Sequence, residues 1–414
     1  VDKANVAFPD EQAKYWVAFL PAVPQLRVKI SGKFPKARYF SFNAYDPALR
    51  PTDALADYQI QPKPGSDNPF VTASVNSGGS YEAYFTYGAS PNQKSSVNRA
   101  VNTFYSGEGG AGPVALPNGG LVAVIYRIYV SEAGASFDGG VGLPTLTLET
   151  ADGRQSLGTL PNCTEGTLPS LAGTLPDLGL NQKLLALDYP DQLALSFPVA
   201  SNPPRSNRFY GLTDVITATF EAQLGRNPLP PAAALGGGGF LSNVDNAYTT
   251  STFSRQYGSV ALMRAKAPTW RGASNTALGN EQLRYWSVCG NEFVTQRYTR
   301  CSSDFQTPVD AQGFFTVVIG DAAQRTANVS TNNGFTFLEW GPYPDHVLIY
   351  RHMLPNPAFE QAIQNVPKGT PLKTKMGDFS PEVTYCNWSV LRNFSQPAEA
   401  FAACRAQSKS PAAT

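Results

Sequence analysis

The feature that most constrains this chain is a set of strand-like motifs that occurs twice in the same order. The first set runs Leu26-Arg27-Val28-Lys29-Ile30, then Ala37-Arg38-Tyr39-Phe40-Ser41-Phe42, and later Val122-Ala123-Val124-Ile125-Tyr126-Arg127-Ile128. The second runs Val260-Ala261-Leu262-Met263-Arg264, then Leu283-Arg284-Tyr285-Trp286-Ser287-Val288, and later His346-Val347-Leu348-Ile349-Tyr350-Arg351-His352. Tyr81 to Phe85 and Phe314 to Ile319 fall between the matched pieces. Short runs rich in β-branched and aromatic residues, bounded by Gly, Pro and Asn, read as strands. Three matched pieces in one order predict an internal duplication.

The expected fold is therefore mainly all-β, with two tandem jelly-roll-like β-sandwich domains. Residues 1–150 form the first copy and 241–365 the second. Residues 151–240 read as a Pro/Gly-rich connecting segment, partly helical over 212–224. Residues 366–414 read as a C-terminal extension. Composition agrees. The 414 residues exceed one compact core. Gly and Pro number 36 and 34, and charged residues make up only 15%, against about 25% in an ordinary domain.

Lys plus Arg is 32 and Asp plus Glu 31, a net charge of +1. That balance argues against a nucleic-acid partner, which demands a basic surface. No apolar run reaches ~18 residues, so no transmembrane segment is expected. The first residues carry no signal pattern. With few Met and closely spaced cysteines, the chain reads as secreted or periplasmic, its signal sequence already removed.

The five cysteines are Cys163, Cys289, Cys301, Cys386 and Cys404. No Cys-x-x-Cys and only two histidines occur, so no metal site and no cofactor is expected. Local spacing predicts Cys289–Cys301 across a hairpin and Cys386–Cys404 around a helix. Cys163 is left over. Sequons at Asn162, Asn328, Asn387 and Asn393 are as many as composition alone would give.

The run Ala37-Arg38-Tyr39-Phe40-Ser41-Phe42-Asn43-Ala44-Tyr45-Asp46 resembles the Arg-Tyr-aromatic-Ser strand and Tyr-Asp ending of the families called domains of unknown function 1254 and 1214. Asn243-Val244-Asp245-Asn246-Ala247-Tyr248 is similar to the lead-in of their first strand. The second copy lacks the Tyr-Asp ending, since Ser287 is followed by Val288-Cys289-Gly290-Asn291. The resemblance implies a pair of jelly-roll-like sandwiches and assigns no activity.

Strand alternation sorts the candidate site residues. Arg38, Phe40 and Phe42 share one face, as do Arg284, Trp286 and Val288. Tyr39, Ser41, Asn43 and Tyr45 share the other. The apolar set belongs to a core, and the Arg at its end requires a carboxylate or carbonyl partner. The polar set suits either a solvated outer face or a groove for a glycan-like ligand. His346 and His352 lie six residues apart, roughly 20 Å along a strand, too far to share a metal. Gly236 to Gly239 lacks the Lys-Ser/Thr of a phosphate loop. Asn243, Asp245 and Asn246 read as an Asx turn. Asp46, Asp53 and Asp57 read as solvated loop acids.

The leading functional expectation is recognition of a polar, aromatic or glycan-like small molecule, bound at the second copy or between copies. Tyr39, Ser41, Tyr45, Tyr248 and Trp286 are the candidate binding residues. The alternatives are a hydrolase or lyase acting on an extracellular polymer or ester, and a structural assembly protein. For an enzyme, His352, Arg351, Arg284 and Tyr285 are the candidate catalytic residues, with a pocket expected at the end of the strand carrying His352.

Overall fold

A computed structural model of the chain describes residues 5, 7–45, 51–72, 79–91, 99–107, 120–132, 136–161, 200–209, 241–272, 279–292, 295–367 and 369–409. Cys163, Asn162, Asp46, the helix expected over 212–224 and the four-glycine run lie outside the described residues.

The described chain is an all-β structure of four mainly antiparallel sheets stacked as two sandwiches. In the first half, β1 (Ala13–Ala22), β7 (Gly120–Ser131), β3 (Ala37–Tyr45) and β4 (Pro51–Ala56) lie in that order. Behind them stand β6 (Thr103–Tyr105), β5 (Ser80–Thr86), β2 (Leu26–Lys33), β8 (Thr145–Thr150) and β9 (Ser156–Thr159). In the second half, β10 (Ser206–Phe209), β11 (Asn246–Ser254), β17 (Asp345–Pro355), β13 (Leu283–Glu292) and β14 (Tyr298–Ser303) form one sheet. The other holds β16 (Phe335–Glu339), β15 (Phe314–Gly320), β12 (Val260–Lys266) and β18 (Glu382–Cys386).

The two halves have the same strand order. β1-β7-β3-β4 corresponds to β11-β17-β13-β14, and β6-β5-β2-β8 to β16-β15-β12-β18. Even the parallel pairing of β5 with β6 recurs in β15 with β16. Registers agree too: Arg127 stands between Tyr15 and Ser41, as Arg351 stands between Tyr248 and Ser287. Backbone irregularities match as well. Val130 and Leu354 both have positive φ, 51° and 45°, and so do Phe8 and Leu241, at 54° and 50°. Bulky non-glycine residues are rare in that region, and β-branched Val130 especially so, which points to a shared tertiary demand at each matched pair.

β18 comes from residues 366–414, which therefore complete the second outer sheet. Two helices follow, α2 (Trp388–Leu391) and α3 (Pro397–Lys409), after α1 (Leu372–Met376). Both expected disulfides are present. Cys289 and Cys301 face each other across the β13–β14 ladder, and Cys386–Cys404 ties α3 to β18. Each sandwich has its own core. Phe40, Phe42, Phe85 and Phe104 fill the first, and Trp286, Phe315, Trp340 and Tyr350 the second. Among the described residues no helix is long and apolar enough to cross a membrane.

Candidate functional site

The sheet β1-β7-β3-β4 packs face to face against the sheet carrying β13 and β17. Every residue of β3 and of β13 is buried, because one face of each strand meets its own core and the other meets the opposite sandwich. Alternation therefore yields two buried faces rather than one buried and one solvated. At the centre, Tyr39, Tyr129, Tyr285 and Met353 form a separate apolar cluster, with the Tyr129 and Tyr285 rings 5.7 Å apart.

Reciprocal ion pairs fasten this seam. Arg38 of the first sandwich donates to both oxygens of Asp304 of the second at 2.7 Å. Arg284 of the second donates to Asp57 of the first at 2.6 Å. Each carboxylate also accepts a backbone N–H from its own half, Phe40 on Asp57 and Trp286 on Asp304. Burial pushes both carboxyls up to about 6, against the opposing pull of Arg284 and Arg38. The remaining guanidinium nitrogens, Nε and Nη2 of each Arg, have no hydrogen-bond partner among the described residues. Aromatic faces cover them instead, Trp270 at 4.9 Å for Arg38 and Tyr58 at 5.8 Å for Arg284.

The lead-in segments cross the same seam. Tyr285 donates to Asp10 at 3.0 Å and Ser287 donates to Asp10 at 2.6 Å. Tyr39 donates to Asp245 at 2.7 Å and to Asn243 at 3.1 Å. Asp10 and Asn243 hold equivalent turns, accepting the N–H of Gln12 and of Asp245. Arg351 donates to the carbonyls of Phe8 and Pro9 and to Cys289 Sγ. Arg127 donates to the carbonyl of Leu241, beside the Tyr45 hydroxyl.

The sequence-derived candidates thus fall mostly in this closed seam or in a core. Tyr39, Ser41, Tyr45, Arg284, Tyr285 and Arg351 are buried between sandwiches. Trp286 is a core residue, stacked on Phe315 and donating its indole N–H to the Pro268 carbonyl. Tyr248 is half-buried on β11, with the Arg351 guanidinium 5.7 Å from its ring. His352 is fully buried, accepts the Ile363 N–H at Nδ1, and packs on Tyr350 and Phe359. It is enclosed rather than presented at the surface. Desolvation takes its pKa down to about 3; His346, also fully buried, goes down to about 4 despite its hydrogen bond to the Trp340 carbonyl. Asp53 and Asp57 are not solvated loop acids either: Asp53 receives a two-pronged pair from Arg99. Sequence reasoning missed Asp10, Asp57 and Asp304, whose partners lie more than 200 residues away.

An open groove lies elsewhere, on the second half. It holds about 980 Å³ between the turn before β10, the loop entering α1, the start of β18 and the end of α3. Prolines 203, 204, 371 and 381 stiffen its walls. Its charged lining is Arg205, Arg208, Lys373 and Arg405 against Glu382. Glu382 takes Lys373 at 3.1 Å and Arg405 at 2.7 Å. Partial burial works against the Lys373 charge, but Glu382 and Asp378 hold its pKa above the ordinary lysine value. Cys386–Cys404 sets the position of Arg405, one residue after the bond. Ser408 donates to Asn202 at 3.3 Å and closes the end of the groove. None of the sequence-derived candidates lines it.

No family model matches the chain, and no curated protein matches it. Among solved structures it is similar to an uncharacterized protein from Burkholderia cenocepacia, with 14% identity and a TM-score of 0.47, over 94% of this chain and 80% of that one. A structural-genomics target from Vibrio parahaemolyticus is similar at 11% identity and a TM-score of 0.41, over 91% and 89% of the two chains.

Proposed function

We propose that this is a ligand-recognition protein for a polar, glycan-like molecule, and that the second half carries the site. The observation behind this is the groove between β10, α1, β18 and α3. It is open, preformed and braced by prolines and a disulfide. Its volume stands near the top of the roughly 300–1,000 Å³ range of small-molecule sites. The first half and the seam then act as a scaffold. Matching strand order supports an origin by duplication, after which the second copy took on recognition. The two disulfides support a secreted or periplasmic location.

A glycan array probed with the wild type and with Ser408→Trp tests this reading. Ser408 is half-exposed in the last turn of α3 and lines the groove, so a bulky ring there fills the groove without touching a core. Hits on the wild type that disappear in Ser408→Trp are expected. Hits that survive the substitution place recognition elsewhere.

A further inference from the structure

We infer that the groove takes its ligand by its oxyanions, and that the ligand class is an acidic oligosaccharide bearing carboxylates or sulfates. This rests on the groove being the recognition site. Four cations face one carboxylate there, in a chain whose overall charge is only +1. The excess is local, and a concave wall concentrates such a field. Arg205 is exposed and has no hydrogen-bond or ionic partner among the described residues, so its planar fork is available to a carboxylate or sulfate. Arg208 is turned to the carbonyls of Gln364 and Val366 and contributes charge from below.

The rest of the lining narrows the class. No aromatic side chain is among the lining residues. Ring stacking, the usual means of holding a neutral sugar or a nucleobase, is therefore not offered. The prolines and Leu372 give apolar walls of low conformational entropy, suited to the C–H faces of a saccharide once its charges are held. The volume admits more than one ring. Lys373 and Arg405 flank Glu382, which holds them in place when the groove is empty and competes with an incoming anion for both.

The test is calorimetric titration at 20 mM and at 500 mM salt with three probes. These are a galacturonate trimer, its fully methyl-esterified and hence uncharged form, and inorganic sulfate. The acid trimer is expected to bind at least tenfold more tightly than its ester, with the preference lost at high salt. Arg205→Gln is expected to weaken the acid trimer about tenfold. Glu382→Gln is expected to tighten it, an increase that general damage to the fold would not produce. Sulfate alone is expected to bind weakly and to compete with the trimer. Equal binding of acid and ester, or acid binding indifferent to Arg205→Gln and Glu382→Gln, overturns the oxyanion inference and leaves the groove reading in place. Sulfate binding as tight as the trimer also overturns it, since the ligand would then be a small anion. Binding of neither trimer, together with array hits that survive Ser408→Trp, overturns the groove reading itself.

Discussion

Arg38 and Asp304, 266 residues apart in the chain, form a fully buried ion pair across the two sandwiches. Arg284 and Asp57 repeat it with the roles of the halves exchanged. Removing one partner strands a charge where water cannot reach it. Asp304→Asn is expected to destabilise the chain by about 3–5 kcal/mol, read from urea unfolding. Arg38→Met combined with Asp304→Leu should recover most of that loss, because an apolar pair of similar bulk strands nothing. A loss below about 1 kcal/mol for Asp304→Asn would show that the pair does not fasten the seam.

Stability should respond to pH through two opposed sets of groups. The Asp57 and Asp304 carboxyls stand raised to about 6 in the folded chain. Their contribution is complete below about 4 and is lost as pH rises through 6. His346 and His352 are lowered to about 4 and about 3. Theirs is complete above about 6.5 and is lost as pH falls toward those values. Between pH 7 and 4.5 the two sets act in opposite directions. His352→Asn removes one of the two histidines from that balance while keeping an acceptor for the Ile363 N–H. Its unfolding free energy should rise, relative to wild type, as pH falls from 7 to 4.5. Parallel curves for the two proteins would sink this account.

His352→Ala is expected to lower stability by about 2–4 kcal/mol, as a cavity beside Tyr350 and Phe359 opens and the Ile363 amide loses its acceptor. The strand pattern alone points the other way, toward a functional histidine with little effect on melting. Calorimetry on the variant separates the two. An unchanged melting temperature would contradict the burial of His352.

Replacing Cys386 and Cys404 together by Ser opens an 18-residue separation, costing about 3 kcal/mol in the loop-entropy view. Because the bond also positions Arg405 beside Glu382, binding of the galacturonate trimer should weaken at the same time. Replacing Cys289 and Cys301 should lower stability and leave that binding unchanged. Equal losses of binding in both double variants would separate the groove from α3. Mass mapping of non-reduced peptides checks the pairings directly.

The sequence by itself determined the strands of the repeated motifs, their matched order in the two halves and both disulfides. Those are local or periodic properties, since β-branched and aromatic runs bounded by turns form strands wherever they lie, and cysteines 12 and 18 residues apart meet across one hairpin or between a strand and the helix that follows it. It also foretold that Arg38 and Arg284 would need carboxylate or carbonyl partners. It did not say which. Asp57 and Asp304 look like any loop acids, and only the packing of one sandwich on the other brings them to those arginines. The same packing turned Tyr39, Ser41 and Tyr45 from a possible groove into a sealed seam, since alternation tells which residues share a face but not what covers it. The groove was illegible for a similar reason. Arg205, Lys373, Glu382 and Arg405 come from four separated segments with no common spacing, and only the tertiary fold sets their charges side by side.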